Sequence, residues 1–128
     1  MGERVVVVED DADILYVLAE ALANEGYIAV PFDRAGPALE EVVARPPDVL
    51  VTDLSMPGMS GQELVTQVRE RFGEDVPILV ISASANAQLA AELPIQAFIS
   101  KPFDLGDLLA QVAHWAYVPA QVRAIRGW

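Results

Sequence analysis

Two rhythms of apolar positions alternate along this chain. Arg4 to Val8 ends in an unbroken valine run, the pattern of a short strand buried on both faces. Between residues 13 and 25 the period changes. Ile14, Leu18, Ala21 and Leu22 fall at i, i+4, i+7 and i+8, one face of a helix, and Gly26 stops it. Tyr27 to Phe32 reads as a second strand. Ala35 to Arg45 reads as a helix with Leu39, Val42 and Val43 inward, ended by Pro46 and Pro47. Val49 to Asp53 is a third strand. The loop LSMPGMSG follows, then a helix from Gly61 to Phe72 with Leu64, Val65, Val68 and Phe72 as its stripe. Ile78 to Ser82 is a fourth strand, residues 86–93 a short helix, and Ala97 to Ser100 a fifth strand. Asp104 to Tyr117 is the last helix, with Leu105, Leu108, Leu109, Val112 and Ala116 on one face.

Strands alternating with helices predict a parallel sheet covered on both faces, a three-layer α/β/α sandwich. The 128 residues suit one domain, and 53% hydrophobic residues supply a real core. We expect that domain over 1–118, with 119–128 a C-terminal tail or linker stub beyond it. Nineteen acids against eight bases give a net charge of −11, which weighs against nucleic acid or an anionic membrane as partner. The absence of cysteine excludes disulfides, zinc thiolates and thiol nucleophiles. A single histidine, His114, late in the last helix, reads as a surface or packing residue. There is no signal-peptide plan and no apolar run of membrane-spanning length, so a cytoplasmic location is expected.

In such a sheet ligands bind beyond the carboxyl ends of the strands. Strand one ends in Glu9, Asp10 and Asp11, strand three in Asp53, strand four in Ser82, and strand five in Ser100 and Lys101. Crowded carboxylates repel one another, and a hard divalent cation relieves this; oxygen ligands with room for water suit Mg²⁺. A lysine and a hydroxyl facing those acids complete the parts needed to move a phosphoryl group, with an aspartate as a competent nucleophile.

The residues that carry this chemistry also carry a resemblance. EDDAD after the valine strand, DLSMPGMSG after strand three, Ser82 after ILVI, and KPF after FIS, in that order, resemble a response-regulator receiver domain. The resemblance covers residues 4 to about 117. It implies a flavodoxin-like sheet in the order 2-1-3-4-5 and a phosphoacceptor role in a bacterial two-component phosphorelay, not an enzyme with its own substrate turnover. By resemblance, Asp53 accepts a phosphoryl group from a phosphohistidine on a histidine kinase or histidine phosphotransfer protein. Asp10, Asp53 and the backbone carbonyl of Ser55 ligate Mg²⁺, with Glu9 joining through water. Ser82 and Lys101 bind phosphoryl oxygens, Phe98 holds the place of a switching aromatic, and Lys101–Pro102 that of a cis peptide. The downstream effector is unspecified and homodimerisation is left open.

Taken singly, Asp10 and Asp11 are equally well explained as caps of the following helix. Asp104 and Asp107 read the same way for the last helix, and Met56 and Met59 as loop packing. The chain departs from the family pattern in having serine at 82, in the missing phenol of Phe98, and in Pro94–Ile95 where a small turn is usual. The last change implies a short or irregular fourth helix. Two alternatives stay open. One is a Mg²⁺-dependent aspartyl-phosphate phosphatase of haloacid-dehalogenase type, whose paired aspartates Asp11 and Asp13 mimic. The other is a pseudo-receiver, a binding module that is never phosphorylated.

Overall fold

Four successive valines leave the first strand no polar face, so it has to lie inside a sheet covered on both sides. The computed structural model describes residues 2–117, and there β1 (Arg4–Val8) sits between β2 (Ile28–Phe32) and β3 (Val49–Thr52). β4 (Ile78–Ala83) and β5 (Ala97–Lys101) complete a parallel sheet of five strands in the order β2-β1-β3-β4-β5. The expected tail, 119–128, lies outside the described residues.

Alternate strand residues feed two cores. Val6, Val8, Leu50, Ile78 and Val80 pack with α2 (Ala35–Ala44), α3 (Gly61–Phe72) and α4 (Ala87–Ala91). Val5, Val7, Val49, Val51, Leu79 and Ile81 pack with α1 (Ala12–Asn24) and α5 (Leu105–Tyr117). This is why the inner strands read as continuous apolar runs instead of alternating ones. Pro31 stands exposed in β2, an edge strand, where a missing N–H is tolerated.

Helix ends follow local chemistry. Asp11 caps α1 by accepting the N–H groups of Asp13 and Ile14 at 3.0 and 3.1 Å. Ser60 caps α3 through the N–H of Glu63 at 3.1 Å. Asp104 does the same for α5 through Asp107 N at 3.1 Å, while Asp107 itself lies in the first turn.

The expected helix over 86–93 is shorter than its pattern. A 3₁₀ turn (Ser84–Asn86) leads into five residues of α-helix, and Pro94 follows closely. The connection to β5 is held instead by Arg69 of α3. Its Nε donates to Pro94 O at 2.7 Å, and Nη2 to Gln96 Oε1 at 2.8 Å. Its Nη1 donates to Val76 O at 2.7 Å and Gly73 O at 2.8 Å. Gln96 Oε1 also accepts Ile78 N at 2.6 Å, so one guanidinium ties the α4–β5 connection to the start of β4. No helix among the described residues is long and apolar enough to cross a membrane.

Candidate functional site

The strand order reverses between β1 and β3, and their register decides which side chains meet there. Val8 pairs with Thr52, so the residues that follow, Glu9 and Asp53, emerge side by side. The backbone holds them in place: Glu9 N donates to Phe32 O and Asp53 N to Val8 O, both at 3.0 Å. Glu9 and Asp10 are consecutive where β1 gives way to a bend, yet they stand in different surroundings. Glu9 is fully buried, and Asp10 is exposed at the rim. One carboxylate oxygen from each of Glu9, Asp10 and Asp53 nevertheless lies within 4.8 Å of the others.

Lys101 arrives from the end of β5. Its Nζ lies 2.7 Å from Glu9 Oε1 and 2.8 Å from Asp53 Oδ2, bridging the two buried acids. The following peptide, Lys101–Pro102, is cis. Asp53 Oδ1 is held from the other side by the N–H groups of Leu54, at 2.6 Å, and Ser55, at 3.4 Å. Thr52 and Gly61 fix the peptide that carries Asp53. Thr52 Oγ1 donates to Asp53 O at 2.8 Å, and Gly61 N donates to Leu54 O at 3.0 Å. Gly61 has to be glycine, because a Cβ there would run into Asp53 O. Gly58, at φ +77°, forms the turn that returns the loop to α3.

The two buried carboxylates share one lysine but titrate in opposite senses. Burial pushes the Glu9 carboxyl up, and the Lys101 and Asp11 N–H contacts only partly offset it. Burial also pushes Asp53 up, but hydrogen bonds from Lys101 and Ser82, the lysine charge and the Leu54 N–H outweigh it. The Asp53 carboxyl therefore sits below its ordinary value. Lys101 loses solvent as well, yet its bonds to Asp53 and Glu9 raise it above the usual lysine value. The lysine is thus firmly charged and Asp53 firmly ionised.

Three carboxylates against one ammonium leave a net charge of −2 when all are ionised. Beyond Lys101, Glu9 Oε1 has no hydrogen-bond donor among the described residues. A buried oxygen with a single cationic neighbour, in an all-oxygen set open to solvent at Asp10, fits a hard divalent ion.

The remaining candidates sort themselves by position. Ser82 is buried at the end of β4, and its Oγ accepts Asn86 Nδ2 at 2.8 Å. Ser55 follows Asp53 on the exposed rim. Phe98 is half-buried in β5 and packs against the α2–α3–α4 core. Met56 and Met59 pack against the same core. His114 is exposed, edge-on to Trp115 with ring centroids 4.8 Å apart, and far along the chain from the acids. Asp11 caps α1 and Asp13 is exposed in its first turn, and neither belongs to the acid cluster formed by Glu9, Asp10 and Asp53, so the paired aspartates do not build the site. Thr52, Gly61 and Asn86 were not singled out from sequence. For Gly61 the signal was there: glycine is a poor first helical residue unless something approaches closely.

A doubly wound parallel sheet with three carboxylates and a lysine at its switch point defines a class of phosphoryl- and metal-handling α/β domains. Within that class, the model of the response regulator receiver domain matches residues 5–113, and the chain belongs to this family, as part of two-component signalling. It is 34% identical over 109 residues to the DNA-binding transcriptional regulator NtrC of Escherichia coli, covering 83% of this chain and 23% of that protein. It is 39% identical over 116 residues to the sensor histidine kinase TmoS of Ectopseudomonas mendocina, covering 87% of this chain and 12% of that protein. The chain thus spans under a quarter of either relative. Among solved structures it is similar to the receiver domain of the Pseudomonas aeruginosa sensor histidine kinase PA1611, which holds a magnesium ion in its active site cleft. The TM-score is 0.83 at 21% identity, over 91% of this chain and 98% of that one.

Proposed function

We propose that Asp53 is the phosphoacceptor of this receiver domain and that Lys101 and Ser82 bind the phosphoryl group it takes up. The observation that carries this reading is the Lys101 ammonium, 2.8 Å from Asp53 Oδ2 at the mouth of an otherwise acidic site. A carboxylate oxygen of Asp53 attacks the phosphorus of a phosphohistidine on a histidine kinase or phosphotransfer protein. The P–N bond breaks, its electron pair stays on the imidazole nitrogen, and that nitrogen takes a proton from solvent. Lys101 moves its hydrogen bond from Asp53 to a phosphoryl oxygen, and the Ser82 hydroxyl donates to another. Glu9, Asp10, Asp53 and the Ser55 carbonyl would hold Mg²⁺. The metal would neutralise charge on the phosphoryl oxygens. A cytoplasmic setting, a boundary at 118 and an output face that includes Phe98 belong to the same proposal.

The test is covalent. Acetyl phosphate with Mg²⁺ should add the mass of one phosphoryl group to the wild-type domain and none to Asp53→Asn. Full labelling of Asp53→Asn would relocate the nucleophile. An unlabelled wild type would support the binding module that is never phosphorylated.

A further inference from the structure

We propose that Asn86 is a positioning residue for phosphoryl binding, acting by orienting the Ser82 hydroxyl. The inference rests on the phosphoacceptor reading of Asp53. Asn86 follows the end of β4 by three residues and closes the 3₁₀ turn. It stands at the N-cap of α4, where an asparagine side chain ordinarily accepts an N–H of the first turn. Here it makes no capping bond. Its amide instead turns back and donates Nδ2–H to Ser82 Oγ at 2.8 Å. The helix gives up its cap, and the donor goes to a buried hydroxyl at the site.

The consequence follows from the chemistry of a hydroxyl, which has one proton and two lone pairs. In the free domain Ser82 is 1% exposed, so its rotor is not set by bulk water. With a lone pair occupied by Asn86, the proton is left to point elsewhere. Ser82 stands at the end of β4, the strand beside β3, which leads directly into Asp53. Asn86 thereby presets the donor that a phosphoryl oxygen on Asp53 needs. A hydroxyl already aimed at its acceptor loses less rotor freedom when the acceptor arrives.

The same bond ties the site to the segment that differs from the family pattern. If Ser82 is drawn toward a phosphoryl oxygen, Asn86 and the start of α4 are attached to it directly. A helix of five residues has little packing of its own to resist.

The experiment is a double-mutant cycle on the whole chain, with Asn86→Leu, Ser82→Ala and the double variant. Leucine keeps the branched shape of asparagine and removes the donor without adding charge. The readouts are beryllofluoride affinity in Mg²⁺, the rate of labelling by acetyl phosphate, affinity for Mg²⁺ alone, and the melting temperature. Asn86→Leu should weaken beryllofluoride binding and slow labelling by roughly three- to tenfold, the effect of one neutral hydrogen bond. Affinity for Mg²⁺ alone should stay at the wild-type value. In the Ser82→Ala background Asn86→Leu should have no further effect, because the residue acts through the hydroxyl. Asn86→Asp, which turns the donor into an acceptor that competes for the Ser82 proton, should lose more than Asn86→Leu. Should Asn86→Leu fail to fold, Asn86→Ala carries the same cycle. Equal losses from Asn86→Leu with and without the Ser82 hydroxyl, or no loss at all in a labelled domain, would overturn this inference and leave Asp53 standing. A wild-type domain that takes up no phosphoryl group overturns both.

Discussion

Gly61→Ala tests how tightly the backbone of Asp53, the proposed phosphoacceptor, is fixed. A Cβ at this position would lie 1.8 Å from Asp53 O, 2.7 Å from Asp53 C and 2.8 Å from Leu54 Cα. Real contacts of this kind do not fall below 3.0 Å, so the Asp53 peptide or the start of α3 must retreat by 3.0 − 1.8 = 1.2 Å. The clash is with backbone, and no side-chain rotation relieves it. The retreat stretches two bonds that hold the peptide, Thr52 Oγ1 to Asp53 O and Gly61 N to Leu54 O. Two weakened bonds and an overpacked contact together cost about 2–4 kcal/mol of stability. The effect on chemistry should be larger in proportion, since a displacement of about 1 Å at a reacting centre costs roughly a hundredfold in rate. Urea unfolding gives the first quantity and the rate of labelling by acetyl phosphate the second. A Gly61→Ala domain that labels at the wild-type rate with unchanged stability would refute the claim that this glycine fixes the Asp53 peptide.

Three further outcomes follow from the same contacts. Mg²⁺ should raise the melting temperature, by about 1.4 kcal/mol of stability at ten times its dissociation constant, and Asp10→Ala should abolish the rise; an identical rise in the variant would remove Asp10 from the metal site. Glu9 has a folded-state pKa above its ordinary 4.5, so its contribution to stability is fully present below that value and is lost as pH rises through the raised one. Metal-free unfolding in urea should therefore show the stability of wild type relative to Glu9→Gln falling as pH climbs above 4.5, and a difference independent of pH would count against a strained buried acid. Arg69→Gln leaves the Pro94 and Val76 carbonyls without their donor and should cost roughly 2–3 kcal/mol. Hydrogen exchange should then quicken across residues 92–96, and unchanged protection there would show that Arg69 does not hold the connection.

The sheet was legible because its signal is redundant. Each apolar strand is bracketed by a turn or a helix of a different period, and two cores on opposite faces keep the middle of each inner strand apolar. The acids were legible for a related reason: a charge that ends a fully buried strand has to stand at the sheet's edge. Helix ends were less so. The pattern carried the fourth helix from 86 to 93, whereas the chain forms a 3₁₀ turn first and the helix stops at Ala91. Asn86 is spent on Ser82 instead of on a cap, and Pro94 curtails the far end. Neither Asn86 nor Arg69 had a sequence signature: the Asn86 contact depends on the tight 3₁₀ turn after β4, and the distant partners of Arg69 are brought close only by the folded sheet. Asn86 reaches four residues back, and Arg69 reaches 25 and 27 residues ahead.

Apart from the family resemblance, residue type and spacing do not state which of two neighbouring acids is better fitted to accept a phosphoryl group. Glu9 and Asp53 both lie within 2.8 Å of one ammonium, so the lysine does not distinguish them. The difference lies in what else each carboxylate receives. Glu9 is fully buried and takes one backbone N–H, from Asp11 at 3.1 Å. Asp53 takes the N–H of Leu54 at 2.6 Å and that of Ser55 at 3.4 Å, and Ser82 faces it as well. Burial wins at Glu9 and hydrogen bonding wins at Asp53, which drives the two acidities apart. An attacking carboxylate has to be ionised and reachable, and Asp53 meets the first condition while standing next to the exposed Ser55 rim. Glu9 holds its proton more readily than Asp53 does. The two environments thus make Asp53 the better ionised of the pair, as the proposed phosphoacceptor role requires, and β1 and β3 create that contrast by delivering the two acids side by side into different sets of donors.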